Sequence, residues 1–210
     1  MIRSTVLTRS APLAALVAAV LLALAPGAAK AADAASCDGG TVSRPFLPWL
    51  DLAQYELAPN GGFEAGSASW TLDGGAQLAG DNEPWHVRDA GDGQALELAA
   101  GASATSSAMC VRLLDPTMRF FVRNQGSSDA TLTVHALFTG LLGQDRDVRI
   151  ATLHGGDDWR PTQPIAILAN LSSLPLLGDG STDLRIRLEA QGDGADFTVD
   201  DVYVDPFKTK

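Results

Sequence analysis

Two stretches of this chain alternate so regularly that they leave little choice of fold. In Thr131-Leu132-Thr133-Val134-His135-Ala136-Leu137-Phe138, a period of two puts Leu132, Val134, Ala136 and Phe138 on one face. In the second stretch Leu184, Ile186, Leu188 and Ala190 alternate with Arg185, Arg187 and Glu189, the signature of an antiparallel strand with one wet face. Shorter β-rich runs cover Ser69 to Leu72, Ala76 to Ala79, Ala95 to Leu98, Met118 to Arg123, Val148 to Leu153 and Phe197 to Val204. Their separators are rich in Gly, Asp, Asn and Pro, and no long amphipathic helix interrupts them. This pattern predicts an all-β chain folded as an antiparallel β-sandwich. Ile165 to Leu177 is apolar without clear alternation and predicts a short helix or a packed loop.

The first residues carry a different signal. Arg3 and Arg9 precede an apolar run from Ala11 to Leu24, and Ala29-Lys30-Ala31 offers a small-x-small cleavage site, so residues 1–31 read as a signal peptide. The run falls short of the ~20 residues that a spanning helix needs, and no second candidate span follows it. The expectation is a secreted protein with no membrane span after signal removal, an N-terminal arm over 32–54 and one β-sandwich domain over 55–210. Cleavage would remove three basic residues and no acid, so the formal charge of -10 would become -13. Such an acidic protein is a poor partner for nucleic acid or an anionic membrane. In an oxidising compartment Cys37 and Cys110, the only cysteines, are expected to form a disulfide. It would close a loop of more than 70 residues and contribute about 4 kcal/mol through chain entropy. Lipidation of Cys37 is the rival reading, but Ala34-Ala35-Ser36 lacks the usual leucine and the cysteine lies well beyond the apolar run.

Two phrases near the ends of the mature chain carry a resemblance. Asn60-Gly61-Gly62-Phe63-Glu64, followed by Trp70, and Val199-Asp200-Asp201-Val202-Tyr203-Val204-Asp205 together resemble the opening and closing strands of galactose-binding-like jelly rolls, the sandwich of many carbohydrate-binding modules. In those modules a Glu and an Asp at such positions often help to hold a structural calcium. The resemblance therefore implies calcium as cofactor, with Glu64 and Asp200 as metal residues and Asp201 in reserve. A hard cation wants six to eight oxygens, so carbonyls around residues 88–94 would have to add to the carboxylates. The plainer reading is that these acids accept backbone hydrogen bonds or sit in water. Gly61 and Gly62 permit a tight or positive-φ turn before Phe63. Strand alternation would send Phe197, Val199, Asp201 and Tyr203 one way and Thr198, Asp200, Val202 and Val204 the other. The chain is also similar to a family of secreted bacterial proteins with no established activity. That likeness rests on Cys37, Pro45-Phe46-Leu47-Pro48-Trp49, the Asn60 to Glu64 turn, Asn82-Glu83-Pro84-Trp85, Ala104-Thr105-Ser106, Cys110, Arg119-Phe120-Phe121, Trp159 and the Asp200 to Pro206 ending. It implies export and fold, and no substrate.

Sugar recognition needs flat apolar faces against the C–H side of a pyranose ring. Of the four tryptophans, Trp70 and Trp159 suit a core or edge clamp, whereas Trp85, between Pro84 and His86, is the candidate platform. Its structural reading is a plug over the sandwich end. Arg185 and Arg187 could donate to a sugar, with surface salt bridges as the simpler account. No catalytic set is complete. His86, His135 and His154 lack metal-ligand spacing, and His154-Gly155-Gly156 has no Gly-x-Ser-x-Gly elbow beside it. Neighbouring acids such as Asp157-Asp158 on one strand would face opposite ways. The sequence thus predicts a non-enzymatic secreted sandwich that binds a polysaccharide or cell-wall component through Trp85, Arg185 and Arg187. The alternative is a structural or protein-interaction protein of the envelope.

Overall fold

The computed structural model describes residues 40–112, 117–140, 143–167 and 181–205. All of them belong to the unit Ala34–Lys210. The expected signal peptide and Cys37 lie outside the described residues, as does most of the segment read as a helix or packed loop. The part of that segment that is described begins as a short strand, Ile165–Ala166. Among the described residues no helix is long and apolar enough to cross a membrane.

The chain enters through β1 (Val42–Ser43), a 3-10 turn over Leu47–Trp49, and β2 (Tyr55–Leu57). After a glycine turn come β3 (Trp70–Asp73), β4 (Gln77–Ala79), β5 (Ala95–Ala99), β6 (Ser103–Ser106) and β7 (Met109–Arg112). Long strands follow, β8 (Thr117–Asn124), β9 (Thr131–Thr139) and β10 (Asp145–Leu153), then two short ones, β11 (Arg160–Pro161) and β12 (Ile165–Ala166). β13 (Ser181–Gln191) and β14 (Asp196–Val204) complete the fold.

These strands form two antiparallel sheets. In the first, β14 is the hub: β8 runs along one side, while β5 and β2 share the other. β1 and β4 extend the sheet beyond β2 and β5, and β11 and β12 pair with the far side of β8. The second sheet has the order β10-β9-β13-β6-β3, with β7 beside the start of β13. The alternating faces of β9 and β13 meet Met118, Phe120 and Val122 of β8 and Phe197 and Val199 of β14 in one apolar core between the sheets. This is the all-β antiparallel sandwich that the period-two pattern predicts.

One strand departs from its expected alternation. The pairing of β14 with β8 shifts register between Asp200 and Tyr203, and Asp201 takes a left-handed φ of 49°. This bulge inserts one residue and reverses which residues face inward beyond it. Val202 and Val204 consequently join Phe197 and Val199 in the central core, while Tyr203 turns outward. The expected grouping of Asp201 and Tyr203 with Phe197 does not hold, because the bulge resets the period.

A second apolar cluster lies on the outer side of the first sheet. Phe121, between the inward-facing Phe120 and Val122, meets Phe46, Tyr55 and Tyr203 there. Phe46 has ring centroids 5.1 Å from Tyr55, 5.4 Å from Phe121 and 5.7 Å from Tyr203. Burying a phenylalanine is worth about 1.5–3 kcal/mol, so the described part of the N-terminal arm contributes to the fold rather than trailing from it.

The Asn60 to Glu64 turn forms as the sequence suggests, but its glycines serve another purpose. The positive φ values fall on Asn60 (49°) and Phe63 (59°), not on Gly61 or Gly62. A Cβ on Gly61 would lie 2.5 Å from the Val202 carbonyl oxygen, and one on Gly62 would lie 2.8 Å from Asp201 Oδ1. Both are glycines because the turn presses against the bulge. Trp70 clamps the turn by donating its indole N–H to the carbonyls of Pro59 (3.1 Å) and Asn60 (3.2 Å).

Candidate functional site

Sheet alternation puts Arg119, Phe121 and Arg123 of β8 on the outer face of the first sheet, and three further segments build over them. The 3-10 turn brings Trp49 to Phe121 with ring centroids 5.5 Å apart. The 82–87 loop adds Trp85, 4.8 Å from Trp49 in an edge-to-face pair and 5.6 Å from Phe121. Trp159, just before β11, receives the Arg123 guanidinium over its ring at 5.1 Å. Trp85 keeps 44% of its surface in solvent, and Leu47, Leu50 and Leu52 on the neighbouring arm are also exposed.

Beside this cluster runs a cleft of about 940 Å³ whose walls include Trp49, Leu50, Leu52 and Pro164. Its floor is a closed polar network. Arg119, only 4% exposed, donates to Asp51 (2.6 Å) and to the Thr162 carbonyl (2.8 Å) and lies 4.3 Å over the Phe46 ring. Tyr55 donates its hydroxyl to the same Asp51 oxygen at 2.8 Å, and the Ala53 N–H binds the other. Burial works to raise the Asp51 carboxyl, yet the Ala53 N–H, Arg119 and Tyr55 hold it below the usual carboxylate range. Burial, then the bond to Asp51, pushes the Tyr55 phenol up to about 12, so it stays a donor at neutral pH. These groups satisfy one another and shape the floor. The groups with room to reach a ligand are Gln163 and Arg160, whose side chain is 75% exposed. Arg160 and Pro161 also border a second cleft of about 420 Å³ that continues past His154 and Gly156.

The 82–87 loop is fixed from beneath by acids. Glu83 is fully buried, and its carboxylate accepts the N–H groups of Trp85 (2.6 Å) and Val87 (2.5 Å). Its own N–H donates to Asp200 Oδ2 at 3.1 Å, and Asp200 Oδ1 accepts the Asp201 N–H at 2.7 Å. Burial, reinforced by the charges of Asp201 and Glu83, pushes Asp200 up to about 8. Burial likewise pushes Asp201 to about 7, against the pull of Arg88 and with the charges of Glu83, Asp92 and Glu64 adding to the rise.

The residues expected to form one ligand site are not brought together. Trp85 lies over the first sheet, whereas Arg185 and Arg187 point outward from β13 in the second, with the whole core between them. Arg187 is engaged by Asp147 at 2.7 Å, next to His135, whose Nδ1 is 2.6 Å from the other Asp147 oxygen. Arg185 stands in solvent. The two residues expected to hold calcium are committed to different partners. Glu64 Oε1 accepts the N–H groups of Gly93 and Gln94, both at 2.8 Å, while Asp200 is turned toward Glu83. The bulge aims Asp201 instead at the Gly62 turn. Among the described residues no group of three or more His, Cys, Asp or Glu side chains is arranged to hold a metal ion, and the guanidinium of Arg88 occupies the space between Asp201 and Asp92. As arranged, these residues do not fit calcium. Cys110 lies in β7, no free cysteine is present among the described residues, and the expected pairing with Cys37 extends beyond them.

Trp49, Asp51, Arg119 and Glu83 were not legible as site residues. The available signal was on β8, where Arg119, Phe121 and Arg123 put three large side chains on what should be a solvated face.

Neither a family model nor a curated protein matches the chain. Solved structures do. The CBM22-1–GH10 modules of Clostridium thermocellum Xyn10B, complexed with xylohexaose, align with a TM-score of 0.50 at 14% identity, over 71% of this chain and 28% of that one. The xylan-binding domain from CBM22 aligns at 0.45 and 19% identity, over 76% of this chain and 99% of that one. The enzymatically active domain of bacteriophage CBA120 tailspike protein 4 aligns at 0.48 and 14% identity, over 69% of this chain and 20% of that one. The fold is the jelly-roll sandwich of carbohydrate-binding modules. At these identities the likeness concerns the fold, and chemistry must be argued from the chain's own residues.

Proposed function

We propose that the protein is a secreted, non-catalytic binding module that holds a polysaccharide or cell-wall polymer on the outer face of its first sheet. The observation that carries this reading is the joined pair Trp49 and Trp85, one lining the long cleft and the other half-exposed beside it. Their faces offer apolar contact to sugar C–H groups, while Arg160 and Gln163 supply donors along the cleft. The closed Asp51–Arg119–Tyr55 network keeps the floor rigid, which lowers the ordering cost of binding. A non-catalytic role is supported by the placement of the acids: Glu83, Asp200 and Asp201 are sealed from solvent, where they can hold a loop but cannot touch a substrate.

A second reading has its own observation. Leu50 is 90% exposed and Leu52 69% exposed on the cleft rim, a surface that also suits an apolar protein partner of the envelope. Retention of the purified mature protein on insoluble cell-wall and plant polysaccharides separates the two. Retention that Trp85→Ala abolishes, with the Tm little changed, supports the glycan reading. Failure on every polymer, with binding to envelope protein that Leu50→Ser abolishes, supports the other.

A further inference from the structure

The long cleft is better supplied with apolar walls than with groups that bind hydroxyls. Its carboxylate, Asp51, is already engaged by Arg119, Tyr55 and the Ala53 N–H, which leaves Gln163 and Arg160 as the polar side chains within a ligand's reach. The neighbouring cleft of about 420 Å³ has the opposite balance. Thr152, His154 and Asp158 line it and all three are exposed. The side chains of Thr152 and His154 make no hydrogen bond among the described residues, and the Asp158 carboxylate, 86% exposed, meets only Arg160 at 4.0 Å. A sugar hydroxyl both donates and accepts, so a site that reads it needs acceptors as well as donors. The free carboxylate acceptor lies in the second cleft.

That cleft is also built rather than incidental. Asn124, 2% exposed at the end of β8, donates its backbone N–H to the Gly156 carbonyl (2.8 Å) and its side-chain amide to the His154 carbonyl (3.2 Å). Gly155 takes a φ of 66°, and a Cβ there would lie 2.9 Å from Asn124 Cβ, so glycine is required for the wall to sit this close to the strand. A wall fixed before binding adds little ordering cost. The register of β11 sets Arg160 opposite Val122 and Pro161 opposite Phe121, and both residues line both clefts. A chain that leaves the long cleft over β11 therefore enters the second.

We infer that the second cleft is a further subsite for the same polymer, in which Thr152, His154 and Asp158 bind the hydroxyls of a segment that has crossed β11 from the tryptophan-lined cleft. The inference rests on the glycan reading and deepens it: the ligand is an extended, hydroxyl-rich chain read at two places along its length. The division of labour follows from the two linings. Trp49 and the leucines of the long cleft offer contact to C–H faces, which every pyranose has. The second cleft offers a carboxylate and a guanidinium side by side, and such groups discriminate by which hydroxyls they meet.

The test measures calorimetric affinity for xylo- and cello-oligosaccharides, from the disaccharide to the hexasaccharide, and for soluble xylan and β-glucan. It compares the mature protein, Trp85→Ala and the double variant His154→Ala/Asp158→Ala. Wild-type affinity should climb with chain length. The double variant should match the wild type on the shortest sugar bound, yet bind the hexasaccharide and the polymers about tenfold more weakly, as expected for the loss of two hydrogen bonds. Its Tm should not move, because both side chains are exposed. Trp85→Ala should weaken every length. A double variant that holds long chains as the wild type does, or that loses affinity equally at all lengths, overturns the inference and leaves the glycan reading standing. A wild type that binds none of these sugars overturns it as well, and the glycan reading falls with it only if every polymer of the insoluble panel also fails.

Discussion

The sandwich has two outer faces built from the same kind of strand, and they have been put to different use. On the second sheet, register aligns Arg149, His135, Arg187, Thr105 and Thr71 in one row across five strands, a flat polar surface. Burial alone would raise Asp147 there, but the bond to His135 and the charge of Arg187 bring it below the usual carboxylate range. On the first sheet the outer face is roofed. Phe121, Tyr203 and Arg119 are covered by the arm and by the 82–87 loop, and the roof leaves clefts at its margin. Charged residues on an open sheet gain little from pairing, whereas the same residues under a roof become structural.

The contrast can be broken most directly at Phe46. Phe46→Ala should cost about 3–5 kcal/mol in urea unfolding, because it empties the centre of the roofed cluster. A cost near zero would make the arm an appendage and the two faces alike. Arg119→Ala should cost a comparable ~3–5 kcal/mol, since it leaves Asp51 paired only with neutral donors beneath the roof.

A pH series sharpens the comparison further. Asp200 and Asp201 have folded pKa values of about 8 and about 7 against an ordinary 3.8, so the folded state holds protons that the unfolded chain has already released. Their contribution is intact below the ordinary value and is lost as pH rises through 7 to 8, so the Tm should be higher near about pH 5 than near about pH 9. Asp200→Asn should flatten that slope. A Tm that rises steadily toward pH 9 would show that these acids are not sealed. The smallest effect belongs to the open face: Arg187→Ala should change stability by less than about 1 kcal/mol and leave polysaccharide retention untouched.

The long strands were legible because β9 and β13 keep apolar residues on one face along their whole length. β6 and β7 were not, since Ser103-Ala104-Thr105-Ser106 and Met109-Cys110-Val111-Arg112 carry too little contrast to mark a period. The bulge in β14 was hidden for a different reason: Val-Asp-Asp-Val reads as an ordinary strand until its partner sets the register. The same limit applies to the site. Flanking Pro84 and His86 suggested an exposed Trp85, and alternation correctly turned Arg185 and Arg187 outward. Nothing in the sequence revealed that loop and strand lie on opposite sides of the core. Trp49 could be assigned only once the 3-10 turn had been placed beside Phe121.

The roof also bears on the order of events in folding. Phe46 and Tyr55 of the arm, Phe121 of β8 and Tyr203 of β14 come from three regions well separated along the chain, so their cluster can close only after β14 and β8 are paired. The central core includes none of these rings and can persist while the roof lifts. Amide exchange should accordingly be faster in β1 and β2 than in β9 and β13. The face proposed to hold a polysaccharide would then be assembled last and released first, and an occupied cleft would slow its opening.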